Sequence, residues 1–176
     1  MKSLLMSAVL LAVAGCVSLS EDARFSTVEQ AVKERTGADT TWSRSEDDAK
    51  TVRGRVKELL AKPLGPAEAV QIALLNNAGL QASYAEVGIA EADLVQASRW
   101  RGPTFPYARL RRDGETEIDR GVFFDVLGLL TIPLSTKASE SRLQATQNRA
   151  AAEALRIALE ARKGVPLVRG LLDYFP

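Results

Sequence analysis

The chain has 176 residues, and its 23 Lys and Arg nearly balance 22 Asp and Glu, so no bulk charge directs it to nucleic acid. It has no histidine, and its single cysteine, Cys16, excludes an internal disulfide and the usual nucleophile–base pairs. Aromatic residues are only 6% while alanine crowds long runs, which suits helices packed through small side chains better than a large globular core.

The chain opens MKSLLMSAVLLAVAGC. Lys2 supplies a positive start, and residues 4–14 form an apolar stretch of signal-peptide length. Val13-Ala14-Gly15-Cys16 resembles the bacterial lipobox, in which the peptide is cut before the cysteine and its sulfur receives a diacylglycerol. The resemblance implies a signal peptide over 1–15, lipidation at Cys16 and, with Val17 where retained lipoproteins carry Asp, an outer-membrane destination. Two or more acyl chains make a firm anchor, at about 0.8 kcal/mol per buried methylene. The competing reading is an ordinary signal peptide with an incidental cysteine.

Residues 16–63 are polar, with two short helices expected. The first carries a capping box, Ser26 with Glu29, and closes on Gly37. The second repeats the device with Ser43 and Glu46, carries basic residues late and stops before Pro63. Glu46-Asp47-Asp48 reads as a solvated helix start rather than a cation site.

Pro66 opens the next helix, and Asn76-Asn77 with Gly79 mark a break. Beyond it Leu80, Val87 and Leu94 recur every seven residues with Tyr84 between them, and alanines 82, 85, 90, 92 and 97 fill neighbouring positions. Such spacing predicts a close-packed, coiled-coil-like seam. Gly102 and Pro103 end that helix.

Phe105 to Arg112 alternates, with Phe105, Tyr107, Arg109 and Arg111 on one face, and Asp113-Gly114 is a hairpin turn signal. The stretch GVFFDVLGLLTIPL, Gly121–Leu134, is expected as the second strand. It is too short to cross a bilayer as a helix, which takes about 20 residues, and Gly128 and Pro133 argue against helix. Its even positions, Phe124 to Ile132, form a charge-free face. Two such strands fit a membrane-spanning hairpin; a hairpin buried in a soluble core is the alternative. A second long helix is expected from about Thr136, with Leu143, Ala150, Ala154, Ile157 and Ala161 on one stripe, Arg and Gln facing away, and an end at Gly164 and Pro166.

The fold class is therefore mostly α with one β-hairpin: long antiparallel coiled-coil-like helices joined by a transmembrane β-hairpin. The run AVQIALLNNAGLQASYAEVGIAEADLVQASR, Pro103, the hairpin, Ile132-Pro133-Leu134 and the Ala-rich helix together resemble the TolC-like outer-membrane efflux protein family. The lipobox and polar leader are similar to its lipoprotein branch, which works with resistance-nodulation-division pumps. The resemblance covers residues 64–163 and implies half of a channel protomer, the first of two helix–hairpin–helix repeats. It also implies a homotrimer closing a barrel in the outer membrane lipid, with helices in the periplasm meeting a periplasmic adaptor and an inner-membrane pump. Gly65 and Ala78 depart from the family's hydroxyl N-cap and proline. The tail, residues 164–176, is atypical, so a premature stop or frameshift near 163, and a non-functional short form, is expected.

No enzyme, cofactor or metal chemistry is expected. Arg109, Arg111 and Asp125 are the candidate lumen-facing residues, while Glu115 and Glu117 read as solvated loop charges. The alternatives are a periplasmic coiled-coil structural or adaptor lipoprotein and a soluble binder of metal or solute, the latter disfavoured by the absence of His and Met clusters.

Overall fold

The computed structural model describes residues 18–112 and 115–174. Cys16, the signal segment 1–15 and the Asp113-Gly114 turn lie outside the described residues. Four helices come first: α1 (Ser26–Thr36), α2 (Glu46–Leu60), α3 (Pro66–Asn76) and α4 (Ala78–Ser98). A two-stranded antiparallel sheet follows, β1 (Tyr107–Arg112) and β2 (Glu115–Arg120), and then one long helix, α5 (Val126–Tyr174). The protein is mostly helical with one β-hairpin. Its residues divide into two compact units, one of Leu19–Asp93 with the chain from Glu140 onward, the other of Leu94–Ser139.

In the first unit the heptad residues of α4 make the core. Leu80, Tyr84 and Val87 are completely buried, and Leu143, Ala150, Ala154 and Ile157 of α5 are buried as the stripe requires. Phe25 just before α1, Val28 and Val32 of α1, Val52 of α2 and Val70 and Leu74 of α3 complete the core. The Phe25 ring packs tilted on Tyr84 at 4.6 Å between centroids and on Trp42 at 6.1 Å. Trp42 also lies close against α4 at Gly88, where an added Cβ would meet its ring at 2.6 Å.

Local sequence explains most helix ends. Gly37 closes α1 in the left-handed region, φ 72°, with its N–H donating to the Lys33 carbonyl. Pro66 sits in the first turn of α3. Asn77 breaks the chain between α3 and α4, and its side-chain oxygen accepts from Leu80 N at 3.0 Å. Two caps differ from expectation. Ser26 is the first residue of α1, so it cannot cap; Asp22, four residues back, accepts from Ser26 N at 3.1 Å instead. The capping box of α2 is Ser45 with Asp48, not Ser43 with Glu46. The Ser43 N–H is engaged elsewhere, donating to Gln81 of α4 at 2.9 Å, because residues 41–43 run extended along that helix.

In the second unit, the segment expected as a long strand is not one. β2 ends at Arg120, one isolated bridge joins Phe123 to Thr104, and from Val126 the backbone is helical. The physical cause is Asp125. Its Oδ1 accepts from Gly128 N at 2.6 Å and its carbonyl from Leu129 N at 3.2 Å, a helix start with a carboxylate at the positive end of the dipole. A strand over 121–134 would have needed a partner along its whole length, whereas a helix satisfies its own backbone. Pro133 removes one helical donor. The Thr131 and Ser135 hydroxyls bond the Gly128 and Ile132 carbonyls on either side, both at 3.0 Å. Ser135 also donates to the Ala97 carbonyl at 3.2 Å, bringing the start of α5 beside the end of α4.

Two further expectations are corrected. The helix begins at Val126 rather than Thr136, and it passes Gly164 and Pro166 to reach Tyr174. Propagation from the long run of strong helix formers at 137–163 adds one backbone bond for each residue fixed, and no turn competes with it.

Candidate functional site

Two features stand apart from ordinary packing. The first is the turn Ser20–Phe25 in the first unit. Ala23 and Arg24 both adopt positive φ, 51° and 55°, a pairing costly for residues with a Cβ. What holds it is polar. Glu91, almost completely buried on α4, accepts from Ser20 N at 3.1 Å and Ser20 Oγ at 2.6 Å, and pairs with Arg24 Nε at 3.5 Å. Its other oxygen, Oε2, has no hydrogen-bond partner. From α5, buried Gln147 donates to the Arg24 carbonyl at 2.9 Å. Gln147 thus departs from the expectation that Gln faces away from the stripe. Asp22 braces the turn through Arg24 N and Ser26, and the Ser26 hydroxyl and amide hold its carboxyl down at about 2. Beside this turn, Thr40 and Tyr84 share a buried hydroxyl–hydroxyl bond of 2.6 Å, while burial pushes the Tyr84 phenol up.

The second feature is the exposed apolar segment of the second unit. Among the described residues, thirteen of the eighteen exposed large apolar side chains lie between Trp100 and Leu134. Leu127, Leu130 and Leu134 are each more than 70% exposed, and Phe105 is 69% exposed. Scattered exposed leucines are ordinary, but a concentrated run marks a surface meant to be covered. Covering it would contribute on the order of 15 kcal/mol, at roughly 1–2 kcal/mol per side chain.

The hairpin within this unit is longer than its named strands. Thr104 and Phe123 exchange N–H···O bonds of 3.0 and 2.9 Å in the register set by Tyr107 opposite Arg120. Gly121 N reaches the Pro106 carbonyl at 3.2 Å, and Pro106, lacking an N–H, cannot return the bond. One register therefore runs from 104 to 112 and from 115 to 123. The register also sorts the charges. Arg109 lies opposite Ile118 and Arg111 opposite Thr116, so both share a face with Arg120 and Tyr107. Glu117 and Asp119 lie on the other face, opposite Leu110 and Ala108, together with the pair Arg112 and Glu115. Neither face is free of charge, unlike the face expected for residues 121–134.

Of the residues singled out from sequence, Arg109 and Arg111 come together on the exposed hairpin and Asp125 does not join them; it caps α5. Cys16 lies outside the described residues. Sequence reasoning missed Arg120, whose place needed the register, and Glu91 and Gln147. Spacing held a signal for the last two: Glu91 continues the series 80, 84, 87 and 94, and Gln147 the series 143, 150, 154 and 157. Among the described residues no cluster of His, Cys, Asp and Glu is able to hold a metal, and no helix is long and apolar enough to cross a membrane. No family model, curated protein or solved structure was found to match the chain.

Proposed function

We propose that the chain belongs to the outer-membrane channel component of a tripartite efflux system, anchored by lipid at Cys16, with residues 100–134 meeting the membrane and the remaining helices in the periplasm. The observation that carries this is the concentration of exposed apolar side chains in that one segment, on a chain whose start resembles a lipobox. A single hairpin cannot close a barrel, and open edges in hydrocarbon leave backbone groups unpaired at several kcal/mol each. Channel function therefore requires further copies, a homotrimer by the family resemblance, with an adaptor and pump as partners. The activity is transport, not catalysis. Complementation tests it: the chain, made in a strain lacking its outer-membrane efflux component, should restore solute resistance if one repeat suffices for assembly. A chain that carbonate washing strips from outer membranes, and that shows no heat-modifiable migration, would count against the channel.

One observation favours a second reading, a periplasmic structural or adaptor lipoprotein. Residues 121–134 do not form the long strand that a barrel wall needs, and both hairpin faces carry charge. A chain that is held at the membrane by its lipid alone, and is released when Cys16 is replaced, would support that reading.

A further inference from the structure

Three of the hairpin's arginines share one face of the sheet, while Arg112 takes its place in the register opposite Glu115 on the other. Arg109, Arg111 and Arg120 are exposed together, and none has a carboxylate partner among the described residues. Around them on the same face lie Phe105, Tyr107, Ile118 and Val122, all exposed. Glu117 and Asp119 occupy the opposite face. The exposed apolar run from Val122 to Leu134 follows directly in the chain. Guanidinium groups interleaved with aromatic and aliphatic side chains match the boundary of a bilayer, where rings sit at headgroup level and long basic chains reach the phosphates. A nucleic-acid surface would use the arginines but has no use for the adjoining leucines.

We infer that this face of the hairpin binds the phosphate groups of an anionic phospholipid surface, with Arg109, Arg111 and Arg120 as the phosphate ligands. The acidic face then looks to water. This reverses the lumenal placement expected for Arg109 and Arg111. It rests on the reading of residues 100–134 as membrane-contacting, and deepens it by naming the headgroup chemistry. Arginine forks match phosphate oxygens in pairs, which gives the contact geometry as well as charge.

The test is co-sedimentation of the chain carrying Cys16→Ser, and so no acyl anchor, with phosphatidylglycerol-containing vesicles and with pure phosphatidylcholine vesicles, at low and high salt. Anionic vesicles should be bound more tightly, by about fivefold for each arginine engaged, and salt should erase the preference. R109Q/R111Q/R120Q should lose the preference about a hundredfold, and R109K/R111K/R120K, which keeps the charge without the fork, should fall between that variant and the chain with its arginines intact. The control R142Q/R149Q/R162Q removes equal charge from exposed positions on α5 and should leave it unchanged. Equal loss in the control, or no loss in the hairpin variant, overturns the arginine assignment while leaving the membrane reading intact. L127Q/L130Q/L134Q should weaken binding to both vesicle types; if it does not, the membrane reading itself fails. Tighter, salt-sensitive binding to duplex DNA than to either vesicle would overturn the proposal in favour of a nucleic-acid surface.

Discussion

Glu91 on α4 and Gln147 on α5, each the one polar residue at its place in a heptad series, are hydrogen-bonded to the same turn: Glu91 to Ser20 and Arg24, Gln147 to the Arg24 carbonyl. Polar residues in a seam weaken it but fix which partner it accepts. Here the partner is the turn itself, whose two positive-φ residues need such a clamp. Glu91→Ala should leave Ser20 N and Oγ without an acceptor and cost about 1–3 kcal/mol. Urea unfolding measures this, and Glu91→Gln, which keeps one acceptor oxygen, should cost less than the alanine variant.

Gly88→Ala sets two effects against each other. Alanine gains about 1 kcal/mol of helix propensity over glycine. The added methyl would stand 2.6 Å from the Trp42 ring, which is held against Phe25 and is not a flexible chain end. Overpacking of this kind costs about 1–3 kcal/mol. Net destabilisation of about 1 kcal/mol is expected by thermal unfolding, and Gly88→Ala combined with Trp42→Leu should recover the propensity gain.

Asp22 links the same turn to pH. Its carboxyl is held at about 2, below the usual 3.8, by the Ser26 hydroxyl first and then by the Ser26 amide. The folded chain therefore takes up this proton later than the unfolded one, and the contribution is complete above pH 4 and lost as pH falls toward 2. Asp22→Ala should cost about 1 kcal/mol at neutral pH as a lost cap. The gap between the two proteins should narrow between pH 4 and 2 in denaturant titrations; a constant gap there would contradict the assignment.

The Thr40–Tyr84 bond suits a double-mutant cycle. Tyr84→Phe strands a buried Thr40 hydroxyl and should cost about 1–3 kcal/mol, as should Thr40→Val at the other end. The double variant should cost less than their sum, because no polar atom is then left unpaired. Strict additivity would mean that the hydroxyls contribute independently.

Much of the first unit was legible because its signal is repetition. Leu80, Tyr84 and Val87 recur at helical spacing, and all are buried; Gly37, Pro66 and Asn77 mark ends through backbone chemistry that acts locally. Residues 121–134 misled for a physical reason. Large apolar residues sit at both odd and even positions, so periodicity does not separate strand from helix, and Asp125, the true signal, reads equally as an outward strand residue. Ser43–Glu46 and Ser45–Asp48 share one capping-box spacing, so spacing alone does not choose between them, and the bond from Ser43 N to Gln81 that separates them is tertiary. Glu91 and Gln147 were visible as polar residues in an apolar series, but their shared partner was not.

What covers Val122–Leu134 decides the membrane assignment. A fluorophore on Leu130→Cys, read in membranes from cells making the full chain and compared with the unsubstituted chain, measures this directly. Strong quenching by a nitroxide carried on lipid acyl chains, with little by aqueous iodide, is the expected result. Free quenching by iodide and none from the lipid would show the segment facing water or protein, and would contradict the membrane assignment and the channel proposed from it.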